Sequence, residues 1–195
     1  TCLIGCPLNA KRNPRMVAIP AAIAAGARFY TRARAFRVEN ATAEVKTVVA
    51  RTLDQRGHRE VGSLTVRAPI VIVACNAVAS AELLLRSGIG SRHVGQNLVL
   101  QPQLPVVAFF DHPVVAFRGI PQAYAVTEFE EDHPEHGLWG FRIEPVMGTP
   151  GIVSTLLPYL GDENARGMEA YDRIAASLVL VPDLPSGSVE LGGHG

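Results

Sequence analysis

The strongest constraint on the fold is an unbroken apolar run at residues 69–75, Pro-Ile-Val-Ile-Val-Ala-Cys. A continuous β-branched run of this kind is typical of a strand buried on both faces, as in a parallel sheet. The run passes through Asn76 into residues 77–87, which have helical composition and an apolar side formed by three consecutive leucines. The sequence therefore predicts a buried strand that leads directly into a helix.

Three candidate strands precede this run, at residues 35–40, 44–53 and 59–68. Polar turns separate them, and residues 54–58 form the clearest turn. Several positions alternate polar with apolar, which predicts an antiparallel meander with one solvated face. The meander lies inside the crossover of a βαβ-type framework.

A helix is predicted at the start of this framework, over residues 14–25. Asn13 can cap its start, and Gly26 stands where a left-handed C-terminal residue belongs. Pro20 should kink this helix or restart it. Residues 27–31 follow as a short apolar strand, before the meander begins.

Beyond Gln103 the sequence changes character, because prolines interrupt it often. Candidate strands and one helix, at residues 163–176, indicate an antiparallel sheet with a covering helix. The strands are expected within residues 104–117, 123–129, 138–147 and 175–183. The fold class is thus α/β followed by α+β, with a domain boundary between residues 102 and 103.

Composition excludes several classes of protein. The chain of 195 residues is 48% hydrophobic and carries no net charge, so nothing electrostatic should attract nucleic acid. No apolar run approaches the roughly 20 residues that span a bilayer. Three cysteines, Cys2, Cys6 and Cys75, give no disulfide framework and favour a reducing, cytoplasmic compartment. Their spacing does not predict a metal site. Both chain ends look cut, so we expect a fragment of a longer protein.

Asn76 lies at the junction between the predicted strand and the predicted helix. In doubly wound folds, nucleotides bind at the carboxyl ends of the strands, where the backbone comes close to the ligand. Glycine is favoured there, and Asn is the next most tolerant residue for left-handed backbone. We therefore expect Asn76 to form the turn and to hydrogen-bond backbone or ligand. Ser87-Gly88-Ile89-Gly90 should end the helix, with Gly88 or Gly90 as left-handed cap.

Four segments of the chain resemble signature segments of the glucose–methanol–choline (GMC) family of flavoprotein oxidoreductases, in the family's order. Residues 76–90 resemble the second signature, with Asn76 and Ala81 in place of Gly and Pro. Residues 94–102 resemble Val-Gly-x-Asn-Leu-x-x-His-Pro, with Gln101 in place of the His. The other two segments are residues 2–13, which resemble Gly-Cys-Pro-x-x-Ala-Lys, and residues 182–193, which resemble a Ser-Gly-x-Val strand.

The resemblance implies FAD as cofactor and an oxidoreductase that acts on the CH–OH group of alcohols. Residues 1–102 would be part of a Rossmann-like FAD-binding domain with an inserted meander, and residues 103–195 part of an antiparallel-sheet substrate domain. Ala74, Cys75 and Asn76 would meet the adenosine end of FAD, largely through backbone, and Ala35 would meet adenine through its NH and CO. The oxidoreductase interpretation depends on a parallel strand at residues 69–75 beside this cofactor.

No catalytic residue is assigned in this chain. The resemblance places the catalytic histidine in a carboxy-terminal segment, and the dinucleotide-binding Gly-x-Gly-x-x-Gly loop in an amino-terminal segment, that the sequence does not contain. The isolated chain should therefore be inactive. The alternative is a non-catalytic binding or structural domain that has lost flavin binding. Asn76 and Gln101 would be signs of that loss.

The substrate should be a small-molecule alcohol of apolar character, because the second half carries many apolar and aromatic residues. Most of these aromatics are interpreted as core. They are Phe109, Phe110, Phe117, Tyr124, Phe129, Trp139 and Phe141. The alcohol itself, the electron acceptor and the oligomeric state are left open.

Two polar clusters are interpreted as solvated rather than functional. His133 and His136 are three residues apart, but Pro134 interrupts any helix between them, which favours an acidic turn. His93 and His112 have no partner that the sequence can assign. The basic cluster of Lys11, Arg12 and Arg15 favours a solvated face over a phosphate contact.

Overall fold

A computed structural model of the protein describes residues 10–119, 122–130, 132–133 and 138–192. The chain divides into two compact units. The first combines Thr1–Leu98 with Pro185–Gly195, and the second is Val99–Leu184. The functional assignment of residues 1–102 and 103–195 to a cofactor domain and a substrate domain stays a prediction.

The helices and strands of the described residues follow in chain order. They are α1 Ala18–Ala24, β1 Ala33–Glu39, β2 Lys46–Leu53, β3 Glu60–Ala68, α2 Asn76–Ser87, β4 Gln96–Leu98, β5 Gln103–Phe109, β6 Asp132–His133, β7 Leu138–Trp139, β8 Arg142–Val146, α3 Pro150–Leu156, α4 Gly161–Met168, β9 Ile174–Leu180 and β10 Gly187–Ser188. Short 3₁₀ turns lie at Ala116–Arg118 and Tyr171–Arg173.

The predicted meander is confirmed. Strands β1, β2 and β3 form one antiparallel sheet in that order. Val38 pairs with Val48 and Ala35 with Ala50, and Val38 and Ala50 are buried. Residues three apart in a regular strand point to opposite faces. Ala35 and Val38 nevertheless share one face, because the register shifts at a bulge that contains Phe36. Strand β3 is exposed at nearly every position, on both faces, so the prediction of one solvated face does not hold for this strand.

The turn between β2 and β3 closes as the sequence indicates. Gly57 has a φ of +75°, and its N–H donates to the Asp54 carbonyl at 3.0 Å. The Asp54 carboxylate accepts a second hydrogen bond, from the His58 N–H at 2.9 Å. This bond lowers the pKa of Asp54, against a smaller opposing effect of burial.

Helix α1 is shorter than predicted, since residues 14–17 form turns and the helix begins at Ala18. Pro20 thus lies in the first helical turn, where its missing N–H costs nothing. Gly26 has a φ of +91°, and the N–H of Ala27 donates to the Ala22 carbonyl at 2.9 Å. This is the left-handed C-terminal cap that the sequence predicts.

The predicted buried strand at residues 69–75 is wrong. These residues form no strand, and the side chains of Ile70 and Ile72 are 77% and 84% exposed. Every strand pair among the described residues is antiparallel. A parallel strand needs a neighbour that accepts its backbone hydrogen bonds, and this part of the chain offers none. Residues 27–31 likewise form no strand, and Phe29 and Tyr30 are exposed.

Helix α2 packs against β1. Leu83 is its buried residue at 5% exposure, while Leu84 and Leu85 are half-buried. The Ser87 hydroxyl donates to the Leu83 carbonyl at 2.6 Å and accepts from the Val38 N–H at 2.9 Å. Gly88 ends the helix in left-handed conformation, with a φ of 64°. The predicted cap and apolar side are thus confirmed.

The second unit is built on an antiparallel sheet in the order β5-β9-β8. Ile174 and Ala176 of β9 are buried, as are Val153 and Leu157 at α3. Helices α3 and α4 are tied by Asn164, whose amide donates to the Ser154 carbonyl at 2.8 Å. An antiparallel sheet with covering helices is therefore confirmed for the second half of the chain.

Several boundaries in the second unit differ from the sequence expectation. Helix α3 was not expected, although Pro150 at its first position is a recognised start signal. The predicted helix over residues 163–176 ends at Met168, and β9 begins at Ile174. Residues 123–129 contribute only a single bridge, between Val126 and Ile143, rather than a strand.

Two of the signature-like segments, residues 94–102 and 182–193, pair with each other in the first unit although they are about ninety residues apart. Strand β10 pairs antiparallel with β4, and Gly187 lies opposite Leu98. Gly95 has a φ of +80°, and a Cβ there would lie 2.4 Å from the Val189 carbonyl oxygen. The Val189 N–H donates to the Gly95 carbonyl at 2.7 Å. The two glycines are therefore needed for a close backbone approach.

Candidate functional site

The start of α2 has the geometry that the sequence predicts for Asn76. Asn76 has a φ of +67°, in the left-handed region that glycine usually occupies. Its side-chain oxygen accepts a hydrogen bond from the Ala79 N–H at 3.1 Å. The amide is therefore folded onto its own helical turn as a cap, and Asn76 adopts a left-handed backbone conformation that glycine tolerates readily.

The residues around Asn76 present backbone to solvent. Ala74, Cys75 and Asn76 are all exposed, and Cys75 is a free thiol. The Cys75 N–H donates to the Ser80 hydroxyl at 3.0 Å, which draws the chain tightly around the helix start. Ser80 is one of the signature positions, so its role here is to shape this turn.

Ala35 lies elsewhere in the same unit. It is a half-buried residue of β1, paired with Ala50, directly before the bulge at Phe36. The structure thus places three of the predicted cofactor residues together at the start of α2. It places Ala35 on the strand against which that helix packs.

The start of α2 exposes backbone that a ligand can approach. The first N–H groups of any α-helix lack intrahelical partners, and an exposed left-handed turn brings further backbone polar groups to the surface. Two N–H groups are already bonded here, since Cys75 donates to the Ser80 hydroxyl and Ala79 donates to the Asn76 side chain. The predicted cofactor residues Ala74, Cys75 and Asn76 would therefore meet a nucleotide through their remaining backbone groups.

The second unit contains a cleft of about 490 Å³. Gln101, which replaces the histidine of the family segment, is exposed and lies in its wall. Most of the wall is apolar, and a volume of this size is in the range of small-molecule sites. The lining residues are Val99, Leu100, Gln101, Glu130, Gly140, Phe141, Arg142, Leu180, Val181, Pro182 and Asp183.

One side of this cleft carries an ion pair. Arg142 is hydrogen-bonded to Glu130 and lies 3.8 Å from a Glu144 oxygen. The hydrogen bond from Arg142 lowers the pKa of Glu130 and raises that of Arg142. Glu130 is thus held as a carboxylate at neutral pH, and neither partner is poised to transfer a proton.

Asp183 shapes another side of the cleft. Its carboxylate accepts hydrogen bonds from the Leu100 N–H at 2.8 Å and from the Leu184 N–H at 2.9 Å. Sequence reasoning missed this role. The available signal is Asp183 in a Pro-Asp-Leu-Pro stretch, since Asp in such a stretch is often bonded to nearby backbone.

The interpretation of the aromatic residues as mostly core is wrong for those that the structure describes. Phe117 stacks on Tyr171 beside buried Ile174, but Phe117 is itself 40% exposed. Phe141 lines the cleft and stacks on Phe129, with ring centroids 5.0 Å apart. The remaining exposures are 49% for Phe109, 40% for Phe110, 83% for Tyr124 and 43% for Phe129, and the side chain of Trp139 lies outside the described residues.

The other polar candidates form no catalytic arrangement in the described residues. His93 is exposed, and the ring of His112 is hydrogen-bonded to its neighbour Asp111 at 2.6 Å. The side chain of His133, and all of His136, lie outside the described residues, as do Cys2 and Cys6. Lys11, Arg12 and Arg15 are exposed.

In the part of the chain that the structure describes, no group of three or more His, Cys, Asp or Glu side chains could hold a metal ion. None of its helices has the length and hydropathy that crossing a membrane requires.

Comparison with known proteins identifies the family. A family model described as GMC oxidoreductase matches residues 1–103. An uncharacterized GMC-type oxidoreductase of Mycobacterium tuberculosis is 36% identical over 189 residues, which cover 96% of this chain and 28% of the relative. Another, from Sinorhizobium fredii, is 30% identical over 146 residues, which cover 75% of this chain and 28% of the relative.

A more distant relative is the long-chain-alcohol oxidase FAO3 of Arabidopsis thaliana, 27% identical over 136 residues, which cover 67% of this chain and 18% of the relative. The chain thus spans less than a third of the length of these relatives. Residues 69–75 form no strand, yet the family match holds. The sequence interpretation made the assignment depend on a parallel strand there, and that condition is wrong. By its sequence over nearly its whole length, this chain belongs to the GMC oxidoreductase family.

Proposed function

We propose that this chain is part of an FAD-dependent oxidoreductase that oxidises the CH–OH group of an apolar alcohol. In this proposal, the first unit is a portion of a Rossmann-like FAD-binding domain. Its exposed turn at Ala74, Cys75 and Asn76, with the backbone of Ala35, holds the adenosine end of the cofactor. The second unit is part of the substrate-binding domain.

The single observation that carries the proposal is the backbone of Asn76. The family signature has glycine at this position, and the structure shows Asn76 in the left-handed conformation that glycine would adopt. Its amide is turned onto the Ala79 N–H and does not extend as a free side chain. Replacement of glycine by Asn is therefore compatible with a nucleotide that approaches the backbone, which favours a retained site over a lost one.

The bound flavin would supply the redox chemistry by accepting a hydride from the carbinol carbon at its N5 atom. The hydroxyl proton would pass to a histidine base, which we assign to none of the residues in this chain. The residues present here bind and orient. The α2 start fixes the nucleotide end of the cofactor, and the second unit supplies wall for the substrate.

The apolar character of the alcohol is supported by the cleft in the second unit. Leu100, Phe141 and Val181 give it an apolar surface, while Gln101 supplies an amide that can hydrogen-bond a hydroxyl. The Arg142 guanidinium is already paired with Glu130, so it is not free to bind an anionic substrate. Two relatives named long-chain-alcohol oxidase, at 27% identity, agree with an apolar alcohol.

The test uses the protein expressed from its complete reading frame. We expect it to purify with bound flavin, visible as the absorbance of an oxidised flavin. Under anaerobic conditions, long-chain primary alcohols should bleach that absorbance, whereas the matching fatty acids and glucose should not. Because bleaching is a single reduction of the enzyme, the result does not require the electron acceptor to be known.

The competing function is a binding or structural domain without flavin. It predicts a colourless protein that does not take up added FAD. If the protein is yellow and its flavin is reduced by glucose but not by long-chain alcohols, the result contradicts the apolar substrate. It does not contradict the oxidoreductase function. For the isolated chain of 195 residues we expect no turnover with any alcohol, and measurable oxidation by it would contradict our placement of the catalytic base elsewhere.

A further inference from the structure

Phe36 joins three elements of the first unit. It is the residue inside the bulge of β1, between Ala35 and Arg37 in the strand register. The guanidinium carbon of Arg51, from β2, lies 3.5 Å from the centre of its ring. The guanidinium carbon of Arg86, from the last turn of α2, lies 4.8 Å from the same point. One aromatic ring thus contacts cations from a neighbouring strand and from the helix.

Both cations are held in place by carboxylates. Arg51 pairs with Glu60 of β3 at 2.8 Å, and Arg86 pairs with Glu82 one helical turn earlier. The Arg86 side chain is 23% exposed, so this contact is partly shielded from solvent. We call Phe36, Arg51 and Arg86 the Phe36 clamp. It connects all three strands of the meander to α2.

The position of the clamp matters because it borders Ala35. A bulge leaves an extra residue outside the regular ladder and re-aims the backbone beside it. Because its ring contacts two cations, Phe36 is anchored at this bulge, directly beside Ala35. The same contact, with the bond from the Val38 N–H to the Ser87 hydroxyl, holds the last turn of α2 on β1, and Asn76 begins the same helix at its other end.

We propose that Phe36 is a positioning residue for the adenosine end of the dinucleotide. It touches no reacting atom. It acts through the Phe36 clamp, which holds Ala35 and the α2 start in the relative arrangement that the nucleotide requires. This inference rests on the proposed function, since it assumes that the two segments bind one nucleotide.

The experiment measures ADP and FAD binding to the apoprotein of the full-length protein, together with its melting temperature. Phe36→Leu keeps an apolar side chain but removes the π system, so we expect ADP and FAD affinity to fall on the order of tenfold. Phe36→Tyr keeps the ring and should retain nearly full affinity. Arg86→Met keeps the apolar stem and removes one cation, and should lower ADP affinity by a smaller factor.

Phe117→Leu is the matched control. It makes the same chemical change at a residue that also has a ring contact, 5.1 Å from Tyr171, but in the second unit. We expect it to lower the melting temperature without changing ADP affinity. This separates a positioning role from a structural one, because a structural residue shifts stability alone.

The outcomes are distinct. Wild-type protein that binds neither ADP nor FAD contradicts the proposed function itself. Wild-type protein that binds both, with Phe36→Leu behaving as Phe117→Leu does, overturns the positioning role and leaves the proposed function intact. If Phe36→Leu does not fold, Arg86→Met decides: unchanged ADP affinity in this folded variant overturns the inference.

Discussion

The meander and residues 69–75 are both rich in β-branched residues, but only the meander forms strands. Each meander strand pairs with the strand next to it in sequence, and Val38 and Ala50 become buried. Residues 69–75 are more apolar, but Ile70 and Ile72 stay exposed and no strand forms. The difference shows that an apolar run becomes a strand only where a partner accepts its backbone hydrogen bonds.

The sharpest test compares a buried and an exposed aliphatic residue on either side of Asn76. Leu83→Ala should lower the free energy of unfolding by about 2–5 kcal/mol, because Leu83 is 5% exposed and its loss leaves a cavity. Ile72→Ala should cost less than about 0.5 kcal/mol, because Ile72 is 84% exposed. Chemical denaturation of both variants measures this, and similar losses would show that residues 69–75 are packed after all.

A second test addresses the long-range pair of β4 and β10. Gly95→Ala should lower the free energy of unfolding by about 2–4 kcal/mol, since the residue has a positive φ and its Cβ would meet the Val189 carbonyl. Gly151→Ala in α3 is the control. A Cβ there meets nothing within 4 Å, so stability should change by no more than about 0.5 kcal/mol. Equal effects would argue against the β4–β10 pairing.

A third test examines the junction between residues 69–75 and α2. Asn76→Ala loses the cap and leaves a side chain in left-handed conformation, so we expect a loss of about 1–2 kcal/mol in thermal or chemical unfolding. Asn76→Gly loses the same cap but tolerates the backbone, and should cost only a few tenths of a kcal/mol. In the full-length protein, Asn76→Gly should bind FAD at least as tightly as wild type. Weaker binding would mean that the Asn side chain contacts the ligand.

The smallest effect is expected from a contact in the second unit between residues 23 apart. The Tyr171 hydroxyl donates to the Gly148 carbonyl at 2.6 Å, so Tyr171→Phe should cost about 0.5–1.5 kcal/mol. Burial raises the pKa of Tyr171 above its ordinary value of about 10. The neutral phenol is thus favoured in the folded state, and stability should be fully present below pH 10 and fall as pH rises beyond it.

Stability curves of wild type and Tyr171→Phe across the alkaline range measure this effect. The variant should show a shallower alkaline loss than wild type, because it has no phenol to ionise at this position. Parallel stability curves would show that Tyr171 does not contribute to the loss of stability at alkaline pH.

Much of the fold was accessible from sequence where the deciding contacts are local. The turn at Gly57, the caps at Gly26 and Gly88, and the left-handed Asn76 all follow from the conformational preferences of single residues and their near neighbours. The meander follows from alternation and short turns. The start of α3 was missed although Pro150 marks it, because the surrounding residues have no clear helical period.

The candidate site was accessible only in part. The signature segment led to Ala74, Cys75 and Asn76, and the structure shows them exposed in a left-handed turn at the start of α2, while their contact with a cofactor stays a prediction. The cleft around Gln101 could not be predicted, because it is formed by residues about eighty positions apart. The clamp at Phe36 was missed for the same reason, since Arg86 is fifty residues away in sequence.

By itself, the sequence determined the family, the three-stranded meander and the turns and caps, because each depends on residue identity or on neighbours a few positions away. The tertiary structure alone decided that β4 pairs with β10, that residues 69–75 stay outside any sheet, and that the Phe36 ring contacts two arginines. These features require segments far apart in the chain to meet, and hydrophobic pattern carries no information on which partner a segment will find.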